Sequence, residues 1–153
     1  MKKLKLIYFL LAICTFSSCL DEDPQYALNS ESVFLDENTA QLALLSCYGQ
    51  LTTYDGFGQA AQELLVGASG LGWAQTNASD QDRYVSLNVS SGCVITKMFW
   101  RSLYKTVSET TFFIENMKES PLDEDFKTGL VAQAKFLRGF SYYHLLTTFG
   151  GVP

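Results

Sequence analysis

Apolar and small residues recur every third or fourth place from Phe126 through Leu130, Ala134, Leu137, Ser141, His144 and Thr148, the spacing of one helical face. The helix this predicts starts at Asp123, which can cap it. Asp123, Glu124 and Asp125 put negative charge where a helix N-terminus favours it. From Phe136 onward the apolar side chains spread to other faces, at Phe140, Tyr142, Tyr143, Leu145, Leu146 and Phe149. A helix apolar nearly all round calls for burial between several neighbours. Gly150-Gly151 end it and Pro153 cannot continue it.

A second face runs through Trp100, Leu103, Tyr104, Val107, Thr111, Ile114 and Met117, widened by Phe99, Phe112 and Phe113. This helix begins after Gly92 and stops before Ser120-Pro121, where proline forces an exit. A shorter stripe of Ala40, Leu44, Tyr48 and Leu51 follows Asn38, a good N-cap residue with Gln41 three places on. Between Tyr54 and Thr96 the periodicity breaks up. Gly56, Gly58, Gly67, Gly70, Gly72, Gly92 and the polar Asn77–Arg83 segment predict long surface loops, with a short helix over Gln59–Val66 and either strand or loop over Arg83–Val89. A loop this long is either functional or a sign of missed elements. Helix, loop, helix, short turn, helix describes an all-α chain of antiparallel pairs, as in tetratricopeptide-like stacks, although no clean period of about 34 residues is present.

The last helix also carries a resemblance. Ala134-Lys135-Phe136-Leu137-Arg138-Gly139-Phe140, then Tyr142-Tyr143, Leu145 and Phe149-Gly150-Gly151-Val152-Pro153, resembles the signature helix of the SusD/RagB family. Gly139 stands where alanine is commoner, and Thr147-Thr148 where a more basic pair is usual. Trp100, Tyr104 and Val107 resemble the family's W-x3-Y-x2-I helix, with Glu109-Thr110-Thr111 departing from its usual small residues and asparagine. Tyr48-Gly49 is similar to an aromatic–small pair late in its first helix. The resemblance implies a tetratricopeptide-like helical scaffold. It also implies a surface lipoprotein of Bacteroidetes-type bacteria that captures glycans or peptides for a SusC-like TonB-dependent outer-membrane transporter. Members run several times longer, so the expectation is the N-terminal portion of a larger α-helical fold.

The first residues are read as a leader. Lys2, Lys3 and Lys5 precede a short apolar run, Leu6 to Phe16, and small Ser17-Ser18, the arrangement of a secretion signal. The run is too short for a bilayer span, which needs roughly 20 apolar residues. Phe16-Ser17-Ser18-Cys19 resembles a bacterial lipobox, with phenylalanine where leucine is usual, and makes Cys19 the lipid anchor. The division expected is a signal peptide over 1–18, an acidic extended tether over 19–31 and a helical region over 32–153. Leu20-Asp21-Glu22-Asp23-Pro24 is a solvated tether by composition; beside a lipidated cysteine, the resemblance reads it as a mark of export to the outer face.

Charge narrows the partners. The formal charge is −5, and without Lys2, Lys3 and Lys5 the 11 basic residues fall to 8 against 16 acidic, a charge of −8. Phosphate binding rests on Lys and Arg, so nucleic acid is excluded as a partner. Hydrophobic residues make up 47% of the 153, enough for a real core.

Candidate chemistry is sparse. Trp73 and Tyr84 are aromatics of the glycine-rich region that either stack on a sugar or peptide ligand or plug the loop onto the helices. Cys47 and Cys93 either pair as a disulfide in an oxidising compartment or stay as buried thiols. No metal-ligand spacing and no cofactor motif is present. His144 is the single histidine, without a nucleophile elbow, and Asp80 with Asp82 or Asp123 to Asp125 are solvated or capping carboxylates. The chain therefore reads as a non-enzymatic binding protein. The second reading is a helical lipoprotein scaffold for a protein partner, or a truncated product whose last helix exposes an aromatic surface.

Overall fold

The computed structural model describes residues 32–72 and 81–153, with only the backbone of 81 and 82. Five α-helices and one π-helical turn make up the described fold: α1 Glu37–Leu51, the π-turn Tyr54–Gly58, α2 Ala60–Ala68, α3 Gln81–Val85, α4 Val94–Glu119 and α5 Glu124–Phe149. No strand occurs among the described residues, as an all-α chain requires.

Helices α4 and α5 are the frame. Asp123 caps α5, its Oδ2 accepting from the Asp125 and Phe126 backbone N–H groups at 3.0 and 3.1 Å. At the far end Gly150 takes φ +81° and donates its N–H to the Leu146 carbonyl, a left-handed stop suited to glycine. Ser120 is extended and the chain reverses, so α5 returns antiparallel along α4. Phe99 meets Phe149 at one end, Arg138 reaches Thr111 midway, and Lys127 donates to the Ser120 carbonyl at the turn.

Two apolar clusters fill the space around this hairpin. Near the turn, Phe113, Ile114 and Met117 of α4 and Leu130, Ala134 and Leu137 of α5 pack with Ala40, Leu44 and Cys47 of α1. Phe34, ahead of α1, inserts edge-on against Phe113 at 5.6 Å, and its carbonyl accepts from the Ser120 hydroxyl at 2.6 Å. At the open end, Phe99, Leu103, Val107 and Leu145 are covered by Ala60, Ala61 and Leu64 of α2, by Tyr84 of α3 and by Cys93.

Several boundaries differ from the sequence reading. The cap of α1 is Asp36, not Asn38: its carboxylate accepts from both Asn38 and Thr39 N–H groups, so Asn38 is already inside the first turn. The Gln59–Val66 expectation is met by α2. Arg83–Val89 is neither strand nor plain loop; it begins within α3 and turns at Leu87, whose φ is +56°. On α4 most of the expected stripe is buried, Leu103, Val107, Ile114 and Met117 with Phe99 and Phe113, but the buried face also takes in hydroxyl residues. Trp100 and Phe112 are 37% and 52% exposed, whereas Ser102, Thr106 and Thr110 are fully buried. Thr106 and Thr110 donate to the carbonyls of Ser102 and Thr106 in their own helix, which satisfies hydroxyls that would otherwise be costly to bury. Helix α5 buries Leu130, Ala134, Leu137, Ser141 and Leu145 but leaves Phe136, Tyr143 and Leu146 out, at 67%, 61% and 53% exposure. The burial expected all round this helix from Phe136 onward is therefore only partial, because within the described residues α4 and α2 cover one side of it.

Candidate functional site

Cys19, the 19–31 tether and Trp73 lie outside the described residues. Tyr84 is described, and it is not a ligand platform: it is 1% exposed, its hydroxyl shares a hydrogen bond with Thr96 Oγ1, and Gly67 lies so close that an added Cβ would sit 2.9 Å from Tyr84 Cβ. The ring plugs α3 onto α2 and α4. Cys47 and Cys93 are both buried, and neither forms a disulfide. They belong to different clusters, so the bridge between them is absent from this structure. Burial, then the nearby Glu109 carboxylate, pushes the Cys47 thiol up to about 11, partly offset by a backbone hydrogen bond, and such a thiol is unreactive at neutral pH.

His144 sits among rings. Its imidazole lies 4.6 Å from Phe140, 4.8 Å from Phe57 and 5.2 Å from Tyr143 between ring centres, each edge-on. Burial lowers its pKa below the ordinary imidazole value, so the ring is neutral at pH 7. An imidazole set in apolar edges has the chemistry of a packing residue. Among the described residues no group of three or more His, Cys, Asp or Glu gathers to hold a metal.

What the open end does offer is aromatic surface. Phe136 and Phe140 stack at 6.3 Å on the outer face of α5, with Tyr143 one turn on. Round the helix, Trp100 leans on Tyr104 at 4.8 Å and meets Phe149 edge-on at 5.0 Å, and the Tyr104 hydroxyl donates to the Pro153 carbonyl at 3.1 Å. Arg138 Nη1 donates to Thr111 Oγ1 at 3.3 Å, tying the two helices midway. It also lines a groove of about 710 Å³ with Lys118, Lys127 and Lys135. Nearer the glycine-rich turn, the Asp55 carboxylate pairs with Arg101, and the exposed Tyr54 lines the same cavity. Sequence reading passed over Tyr54, Asp55 and Phe57 as loop residues. The available signal was the aromatic and glycine alternation of Tyr54-Asp55-Gly56-Phe57-Gly58.

The described residues thus combine an all-α frame with exposed rings and surface ion pairs around a packed, neutral histidine. A SusD-like family model, described as starch-binding and associating with the outer membrane, matches residues 20–153. The chain belongs to this family. It is similar to two proteins of Formosa agariphila, SusD-like protein P2, at 29% identity over 157 residues, and SusD-like protein P25, at 25% over 165. Each alignment covers 100% of this chain and 31% of the relative, so the chain spans about a third of the length of these curated relatives. No solved structure matches it at comparable significance. No described helix is long and apolar enough to cross a membrane.

Proposed function

We propose that this chain belongs to an outer-membrane surface lipoprotein, anchored through Cys19 and facing the cell exterior, that captures oligosaccharides or peptides and passes them to a SusC-like TonB-dependent transporter. The observation that carries the reading is the family match over residues 20–153, whose description is starch binding at the outer membrane. The lipobox-like Phe16-Ser17-Ser18-Cys19 and the acidic residues after it support the anchor and its direction. An acyl-modified cysteine attaches a protein to a bilayer without a spanning helix, and more than one chain makes the attachment stable. The barrel would supply the channel, and this protein the lid and ligand trap. Trp73 remains a candidate for ligand stacking. The role is binding without catalysis or cofactor.

Labelled palmitate and detergent extraction test this together. Wild-type protein is expected to take up label, fractionate with the outer membrane, be cleaved by protease added to intact cells and co-purify with a TonB-dependent barrel. Cys19→Ser is expected to lose the label and the membrane fraction. Label in Cys19→Ser, or extraction without a barrel, would overturn the anchor or the partnership respectively. A second reading, a protein-interaction scaffold without a small ligand, is favoured by the exposed Phe136, Tyr143 and Leu146. It gains if no oligosaccharide or peptide shifts the melting temperature or the intrinsic fluorescence.

A further inference from the structure

A cavity of about 370 Å³ lies where the end of α1, the π-turn and α4 meet, lined by Gln50, Thr53, Tyr54, Asp55, Arg101 and Lys105, with Ser102 at its floor. Its size lies within the range of roughly 300–1,000 Å³ typical of small-molecule sites. The turn that forms one wall is built tightly. Gly56 and Gly58 both donate to the Thr53 carbonyl, at 2.9 and 3.1 Å. Gly56 leaves helical geometry at φ −103°, ψ −131°. A Cβ there would lie 2.6 Å from the Leu51 carbonyl oxygen and 2.8 Å from Ser102 Oγ, so the close approach requires glycine. The Thr53 hydroxyl donates to the Gln50 carbonyl at 2.9 Å. The turn places Tyr54 and Asp55 on the cavity wall.

The groups presented are complementary to one kind of ligand. Tyr54 is 60% exposed, an uncovered ring. Asp55 Oδ2 pairs with Arg101 Nη2, and a carboxylate and a guanidinium each have further hydrogen-bonding capacity beyond that one contact. The Arg101 side chain is 70% exposed while so paired. Lys105 adds a third charged group at the rim, 3.8 Å from Glu109. An apolar C–H face over an aromatic ring, with hydroxyls along the edge taking N–H donors and a carboxylate acceptor, is how a sugar ring fills such a site. Two other cavities among the described residues each lack one half of this set. That of about 430 Å³ between α1 and α4 has rings but no cation. The groove of about 710 Å³ has cations but no ring.

We infer that the cavity formed by Tyr54, Asp55, Arg101, Lys105 and Gln50 binds a sugar unit of an oligosaccharide, with Tyr54 as stacking platform and the Asp55–Arg101 pair bridging neighbouring hydroxyls. This rests on the capture reading and gives it a site. The test is calorimetric titration of the leaderless chain carrying Cys19→Ser with maltoheptaose, laminarihexaose, mannohexaose and xylohexaose, and with tetra-alanine. At least one oligosaccharide is expected to bind. Tyr54→Ala is expected to weaken it tenfold or more, Arg101→Gln several-fold, while Tyr54→Phe stays within twofold. Both truncated side chains are exposed, so melting curves should superimpose on wild type. Oligosaccharide binding unaffected in Tyr54→Ala and Arg101→Gln would overturn this site and leave capture standing. No oligosaccharide binding by the unaltered chain would overturn both. Tetra-alanine binding that depends on Tyr54 would overturn the sugar assignment.

Discussion

The two ends of the α4–α5 hairpin are built on different principles. At the turn end the contacts are mainly aliphatic, Leu44, Ile114, Met117, Leu130 and Leu137, with Phe34 edge-on against Phe113 and α1 lying across them. At the open end they are aromatic, Phe57, Phe99, Phe140 and Phe149 about His144, with Trp100 and Tyr104 beside them. The aliphatic end is closed by Phe34 and by the Ser120 hydroxyl on the Phe34 carbonyl. The aromatic end is closed only on the side of the π-turn and α2, and its rings continue outward as Phe136 and Tyr143. Close-packed aliphatic groups fix a crossing geometry. Large rings that are partly uncovered provide contact area for something else. One end is closed over its core, and the other leaves ring surface uncovered.

The sharpest way to break that comparison is a pair of truncations on α5. Leu137→Ala, at 2% exposure, should cost about 2–5 kcal/mol in denaturant unfolding. Tyr143→Ser, on the opposite face, should stay within about 0.5 kcal/mol. Equal losses would mean that the outer face is structural. Glycine substitutions come next. Gly56→Ala forces a Cβ against the Leu51 carbonyl and should destabilise by about 1–3 kcal/mol. Gly139→Ala meets nothing within 4 Å on an exposed helix surface and should stabilise by about 0.5–1 kcal/mol. Thermal melts of the two variants check the opposite signs.

Thiol chemistry probes both ends at once. With Cys14 and Cys19 replaced by serine, Cys47 and Cys93 should be protected from Ellman's reagent at pH 8 and react as two free thiols once the chain is unfolded. One missing equivalent of each would reveal a bridge. The smallest effect belongs to His144. Burial lowers its folded pKa below 6.5, so the unfolded chain binds the proton more readily. Its contribution to stability is whole above pH 6.5, and falls as the pH drops from there through the folded pKa. His144→Phe should therefore lose less stability than wild type between neutral pH and pH 5, read as the difference between two denaturation series. Parallel curves would show that the imidazole is as well solvated in the fold as out of it.

The long helices were legible because their information is local. Asp123, the three-and-four spacing through Leu137 and Leu145, and Gly150-Gly151 each act within a turn or two of the chain. The cap of α1 was misread because Asp36 and Asn38 are both capable of the role. The choice was decided by which could reach two N–H groups while Phe34 stayed anchored in the core. The α4 face was legible in its apolar residues, but its extension through Ser102, Thr106 and Thr110 was not, because serine and threonine count as polar in a periodicity although a hydroxyl returned to its own helix carbonyl can be buried. Tyr84 could not be assigned to stacking or plugging from its neighbours in sequence, since its burial comes from Gly67 and from α4.

The sequence alone determined the all-α class, the limits of α4 and α5, the family resemblance in Ala134–Phe140 and the aromatic surplus of the last helix. Those follow from hydrogen bonding and side-chain spacing along one axis. Tertiary structure decided that Cys47 and Cys93 lie in separate clusters, that Tyr84 is core, and that Asp55 finds Arg101, 46 residues away, beside Tyr54. Such juxtapositions depend on how helices cross, and a crossing is set by the joint packing of many side chains that no local pattern records.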